Sequence, residues 1–269
     1  MRLALPLALS LSLAASVSAQ SPTEHLALGD SLRRALQSEA ALHHYQEALR
    51  LEPRSYEANW KAAREIADVA KQLLGDTLKD RRDSLYSVGR GYADTAVAID
   101  STHADGHFAL ALVLGRLSRT RGGKERVRFA KIIFDQASRA IQIDSTFDGA
   151  YHILGMWNAE VKRLSGFTRF FAKTLFGAGF MDRASWADAL RLMERAVALR
   201  PDHVYHRLEL ASVYLDVDSI ARATEQLQHL LTLPVGDPMD PYYQRLAQTA
   251  LEDIHNGHVG DARDRLRKG

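Results

Sequence analysis

Apolar residues recur three and four apart along most of the chain after residue 20, the spacing that lines one face of a helix. One phrase returns inside that pattern: an alanine, apolar residues at helical spacing, then proline or serine. It reads Ala48-Leu49-Arg50-Leu51-Glu52-Pro53, Ala96-Val97-Ala98-Ile99-Asp100-Ser101, Ala140-Ile141-Gln142-Ile143-Asp144-Ser145 and Ala196-Val197-Ala198-Leu199-Arg200-Pro201. A worn fifth copy is Leu230-Leu231-Thr232-Leu233-Pro234. Each copy predicts a helix end followed by a residue that stops it or caps the next helix. An amphipathic pattern lies upstream of each copy, and a second lies upstream of that. The unit is therefore a helix pair, and the fold is all-α.

The period is uneven. Equivalent positions fall at 48, 96, 140, 196 and 230, giving steps of 48, 44, 56 and 34 residues. The first and fifth units join their two helices tightly, while the middle three carry insertions at the same point of the unit. Insertions at one point of a stacked repeat map to one edge. The expected boundaries are 22–55, 56–103, 104–147, 148–203 and 204–236, with capping helices over 237–269. Small residues at Ala41, Ala48, Ala189 and Ala196 sit seven apart on the second helices, where a neighbouring helix can come close.

Leu28-Gly29 with Ala41, Tyr45, Ala48 and Pro53 stand at the offsets of the 34-residue tetratricopeptide pattern. Leu154-Gly155 with Ala189, Met193, Ala196 and Pro201 repeat them, and Leu210, Tyr214 and Ala223 do so in part. The predicted architecture is a right-handed tetratricopeptide-type solenoid with insertions in its middle three repeats. Over about residues 55–235 the chain also resembles the regulator of microtubule dynamics family. The resemblance rests on Leu154-Gly155-Met156-Trp157, on the aromatic insert with Ala172-Lys173-Thr174-Leu175-Phe176, on the return through Ala189 and Pro201, and on the stretch Val127 to Phe147. It implies a helical-repeat fold and a binding role. Eukaryotic members are associated with microtubules or mitochondria, whereas this chain carries an export signal.

That signal is residues 1–19: Arg2, an apolar run from Leu3 to Ala15, then Val17-Ser18-Ala19 before Gln20, the layout of a cleaved secretory peptide. The run is shorter than the ~20 apolar residues needed to span a bilayer, and no later stretch is long and apolar enough to be a transmembrane helix. The expected location is the periplasm or the exterior. With no cysteine there is no disulfide, no thiolate metal site, no cysteine nucleophile and no lipoprotein anchor. A formal net charge of +2 among 269 residues argues against a nucleic-acid partner.

Candidate chemistry is sparse. His103/His107 and His203/His206 have spacings that can share a helix face and hold a metal, but neither pair has a third ligand nearby in sequence. They read as cap and groove residues. No carboxylate pair, nucleophile elbow or phosphate loop is recognisable. No catalytic residue, metal, cofactor or small-molecule substrate is expected, and the chain is read as a non-enzymatic scaffold or adaptor of the cell envelope that binds a protein or peptide. A hydrolase with an unrecognised site is a remote alternative.

Two surfaces carry the binding expectation. Repeat offsets put Arg33, Arg34, Lys61, Phe108, Arg116, His152 and Met156 on a concave groove suited to an extended or helical peptide. The insert 161–181 carries Phe167, Phe170, Phe171, Phe176 and Phe180 among Lys162, Arg163, Arg169 and Lys173. Leu164, Phe167, Phe171 and Leu175 follow helical spacing. These phenylalanines are expected to pack onto the solenoid as a local core with a basic rim. The alternative is a peripheral membrane protein whose insert meets an anionic surface. Export with cleavage after Ala19 should leave Gln20 as the first residue of the native protein. N-terminal mass spectrometry checks this, and a soluble form beginning at Met1 or Arg2 would refute it.

Overall fold

The computed structural model describes residues 20–268, leaving aside the side chains of Phe167 and Phe171. The expected signal segment 1–19 lies outside the described residues. Helices pack in pairs: α1 (Pro22–Arg34) with α2 (Ser38–Leu51), α3 (Tyr56–Lys71) with α4 (Lys79–Ile99), α5 (Ala104–Ser118) with α6 (Gly123–Ile143). Then α7 (Asp148–Arg163) pairs with α9 (Trp186–Leu199), and α10 (Val204–Asp216) with α11 (Ile220–Leu231). Between α7 and α9 stand α8 (Gly166–Phe176) and a 3-10 segment, Ala178–Arg183. Helices α12 (Asp240–His255) and α13 (Val259–Lys268) finish the stack. No strand occurs among the described residues.

The insertions take two forms. Helix α2 has 14 residues and α11 has 12, whereas α4 and α6 each have 21. At 3.6 residues per turn, the second and third pairs have grown about two extra turns on their second helix. The fourth insertion folds instead as α8 and the 3-10 segment.

Local sequence explains where helices begin. Ser21 and Glu24 form a reciprocal capping box on α1, and Ser55, Ser165 and Ser185 accept from backbone amides of α3, α8 and α9. At two junctions one device is repeated. Asp100 accepts from the amide and hydroxyl of Thr102 at 2.8 and 2.6 Å, and Asp144 does so from Thr146 at the same distances.

Packing depends on the small residues. Ala41, Ala48, Ala189 and Ala196 are all fully buried. A methyl group on Gly29 would stand 2.4 Å from the Tyr45 ring, and one on Gly155 would stand 2.8 Å from Met193 Cγ and 3.1 Å from its backbone nitrogen. Tyr45 and Met193 are themselves fully buried on the second helix of their pairs. Glycine on the first helix thus makes room for a large residue on the second. Ala189→Leu or Ala196→Leu should overpack the fourth pair and cost about 1–3 kcal/mol, with Gly155→Ala acting in the same direction. Thermal melts that overlay the parent would refute this packing scheme.

Candidate functional site

First helices of successive pairs touch one another, α3 with α5, α5 with α7, α7 with α10, and so form an inner layer. That layer closes on itself. Lys71, at the end of α3, donates to Asp68 at 2.8 Å and to Asp237, in the loop before α12, at 2.7 Å. Residues 166 apart in sequence are thereby in direct contact. The concave face becomes an interior lined with polar groups, and this changes the standing of the residues expected to line a groove.

Lys61 is buried and held by Asp30 at 2.7 Å and Glu57 at 2.6 Å. Arg33 pairs with Glu65 and, at 2.7 Å, with Asp68. Phe108 packs on Phe147, ring centroids 4.9 Å apart, and against Gly149. Arg116 lies over the Tyr205 ring at 5.2 Å. His152 is buried and stacks on His206 at 4.7 Å. Met156 packs on the C-terminal core cluster. The expectation that these side chains stand open to a ligand is therefore corrected for Lys61 and His152, which are buried, while Phe108 is half-buried. Repeat offsets identify the inner side of a helix, but the closure of the layer puts that side inside. Arg34 alone of the seven is exposed.

Electrostatics inside follow from burial and pairing. Burial alone would raise the Asp68 carboxyl, yet Lys71 and Arg33 beside it hold it well below the usual range. Burial raises Glu65, with Arg33 offsetting only part of the effect, and one Glu65 oxygen has no hydrogen-bond partner. Three histidines stack in sequence: His152 on His206, and His206 on His203 at 4.0 Å. Burial pushes all three imidazoles down, His203 to about 2, and His206 stays low although it meets Asp148 at 2.8 Å. His107 is tied to Gln136 and to the Ser101 carbonyl, while His103 is exposed beside Asp100. Among the described residues no cluster of three or more His, Cys, Asp or Glu could hold a metal ion.

What remains open is a cleft of about 280 Å³ where the chain closes, lined by Arg33, Arg34, Leu36, Ser38, Glu65, Asp68, Arg200, Gly236, Asp237 and Pro238. Arg34 and Arg200 are its exposed cations; the Arg200 side chain is 54% exposed. Sequence reasoning missed Arg200 and Asp237. Arg200 belongs to a helix-ending phrase and Asp237 to a loop, and only the closure of the stack brings them to α1 and α3.

The insert also departs from expectation. Phe170 and Phe176 are 62% and 41% exposed, so they are not the local core that was expected. The side chains of Phe167 and Phe171 lie outside the described residues. Phe180 is partly buried against the central core cluster, and Ala172 is buried. Arg163 does not belong to a basic rim: it reaches inward to Asp216 at 2.7 Å and Ser212 at 2.9 Å, and pairs with Glu160. Lys162 and Arg169 are half-buried, and Lys173 is exposed beside Asp182. No helix among the described residues is long and apolar enough to cross a membrane.

Comparison with known proteins places these features. The family model described as regulator of microtubule dynamics protein 1-3 matches residues 26–255. Regulator of microtubule dynamics protein 1 of Bos taurus is 26% identical over 193 residues, 71% of this chain and 60% of that protein. The Homo sapiens protein of the same name is 24% identical over the same shares. The chain thus spans about three fifths of the length of the curated relatives it matches. Among solved structures, a thermophilic TPR protein of Thermus thermophilus superposes with a TM-score of 0.60 at 19% identity, covering 86% of this chain and 100% of that one. PilF of Pseudomonas aeruginosa gives 0.52 at 14% identity, over 91% of this chain and 88% of its own. These likenesses show the fold: a tetratricopeptide-type helical solenoid.

The stacked histidines generate a pH prediction. A buried imidazole with a depressed pKa stays neutral when folded but takes a proton when unfolded, so stability is full above about pH 6.5 and falls as pH drops below it. Each such group contributes up to ~1.4 kcal/mol per pH unit. Glu65 and Glu209, raised by burial, act in the opposite sense, so the informative comparison is between variants. His203 Nδ1 accepts the His206 amide as an N-cap, and Asn can take over that role. His203→Asn should therefore flatten the fall in denaturation midpoint between about pH 7.5 and about 5.5. An unchanged slope would count against a neutral buried stack.

Proposed function

The chain belongs to the regulator of microtubule dynamics family, and we propose that it acts as a non-enzymatic protein-binding scaffold whose partner seats an acidic segment in the cleft between Arg34 and Arg200. One observation carries this reading. Where the stack closes, Arg33 and Lys71 are consumed by Glu65, Asp68 and Asp237. Arg34 and Arg200 remain exposed at the mouth, Arg200 with only a long 3.9 Å approach to Asp148. Guanidinium forks of this kind suit a partner's carboxylates. Leu36 and Pro238 in the same lining supply apolar contact.

The relatives' name concerns microtubules. The leading segment of this chain argues for export, so the proposed partner is a protein of the cell envelope. Affinity capture from envelope extract with the parent chain and with an Arg34→Glu/Arg200→Glu variant tests the reading. The double reversal should reduce the captured partner at least about tenfold, since losing even one of the two charge-assisted contacts is worth about that factor, with melting unchanged. Undiminished capture would move the interface away from the cleft, and co-sedimentation of the chain with polymerised tubulin would overturn the envelope assignment.

A further inference from the structure

Helix α8 belongs to neither the pair stack nor the cleft. It runs for 11 residues, and its described side chains are nearly all at the surface. Leu175 is 63% exposed, Phe170 62% and Phe176 41%, a concentration of exposed large apolar groups found nowhere else among the described residues. Ala172 is the one buried side chain among those described. The Phe176 ring comes within 3.6 Å of where a methyl on Gly123 would stand, so the end of α8 abuts the start of α6.

The start of α6 is basic. Lys124, Arg126 and Arg128 are all exposed, and Glu125 is already occupied by Arg121 and Arg128. Around α8 itself, Lys173 is taken by Asp182. Lys124, Arg126, Lys162 and Arg169 have no carboxylate within ion-pairing distance among the described residues. No acidic residue occurs between 161 and 181. The surface is thus a protruding helix with apolar side chains outward and unneutralised cations beside it.

We propose that α8 and the start of α6 form an edge that adsorbs to an anionic phospholipid surface. Leu175 and Phe176 would enter the boundary between headgroups and acyl chains, and the cations would sit among lipid phosphates. Lys and Arg stems are long enough to keep their charges at that level. Exposed apolar side chains flanked by cations without carboxylate partners match the two layers of such a surface, acyl chains beneath anionic headgroups, which favours a bilayer over a protein partner. This site is independent of the cleft, and neither reading depends on the other.

The test uses the chain from Gln20 onward, which contains every described residue and excludes the apolar run 3–15. Vesicles of phosphatidylcholine with phosphatidylglycerol should co-sediment it, and vesicles of phosphatidylcholine alone should not. Raising salt from about 0.1 M to about 1 M shortens the screening length from ~10 to ~3 Å and should release it. Leu175→Asp should lower partitioning about tenfold or more. A Lys124→Gln/Arg126→Gln/Arg169→Gln variant should do the same with an unchanged thermal melt. The proposal is overturned if the chain does not pellet, if it partitions equally to neutral vesicles, or if Leu175→Asp binds like the parent. A photo-crosslinker at position 175 that reacts with protein instead of lipid in native membranes would also overturn it.

Discussion

Close approach between helices is the constraint on which this molecule depends. A single helix pair cannot hide its own apolar face, so each pair must lie flat against the next. A pair is flat only where its own two helices come close, one of them carrying almost no side chain at the contact. Gly29 opposite Tyr45 and Gly155 opposite Met193 are two such places, and the fully buried alanines of α2 and α9 are others. With no cysteine to staple the stack, its stability rests on noncovalent packing of this kind. The insertions respect the same constraint: extra sequence lengthens α4 and α6 or folds apart as α8, leaving the faces between pairs intact.

Closure of the inner layer has a chemical cost that the residues offset locally. Taking Arg33, Glu65, Asp68 and Lys71 out of water is unfavourable unless each charge finds a partner, and all four do so, with Asp237 completing the group. Glu65 is the least satisfied of them, with one oxygen outside any ion pair. A similar arrangement holds deeper inside, where Arg163 and Arg267 converge on the fully buried Asp216 carboxylate. Polar interiors of this kind are demanding, because a half-satisfied network is worse than an apolar one.

The fold was legible because its signals are local. The alanine-apolar-proline or serine phrase and the glycine–tyrosine spacing of the first pair both act over short stretches of chain. The candidate site was much less so. Offsets put Lys61, Phe108 and His152 on the inner side of their helices, but whether an inner side is a groove or a core depends on how far the superhelix turns, a sum over all pairs that no single repeat encodes. Arg200 and Asp237 join the cleft for the same reason. The insert shows a different limit. Spacing at Leu164, Phe167, Phe171 and Leu175 describes an amphipathic helix, yet that periodicity serves a core face and a contact face equally well. The outcome for Phe170 and Phe176 was set by how little of α8 the solenoid covers.

A stack of repeats usually behaves as a one-dimensional chain, able to nucleate anywhere and to fray from either end without the other end sensing it. The contact of Lys71 with Asp237 removes that independence. Closing so long a loop early would cost more entropy than one ion pair returns, so the contact forms only after every intervening pair is in place. A contact that forms so late acts mainly on the rate of unfolding. Fraying of α12 costs the second pair this contact, and loosening of the second pair costs the loop before α12 the same contact, so the two regions are coupled by the strength of one ion pair.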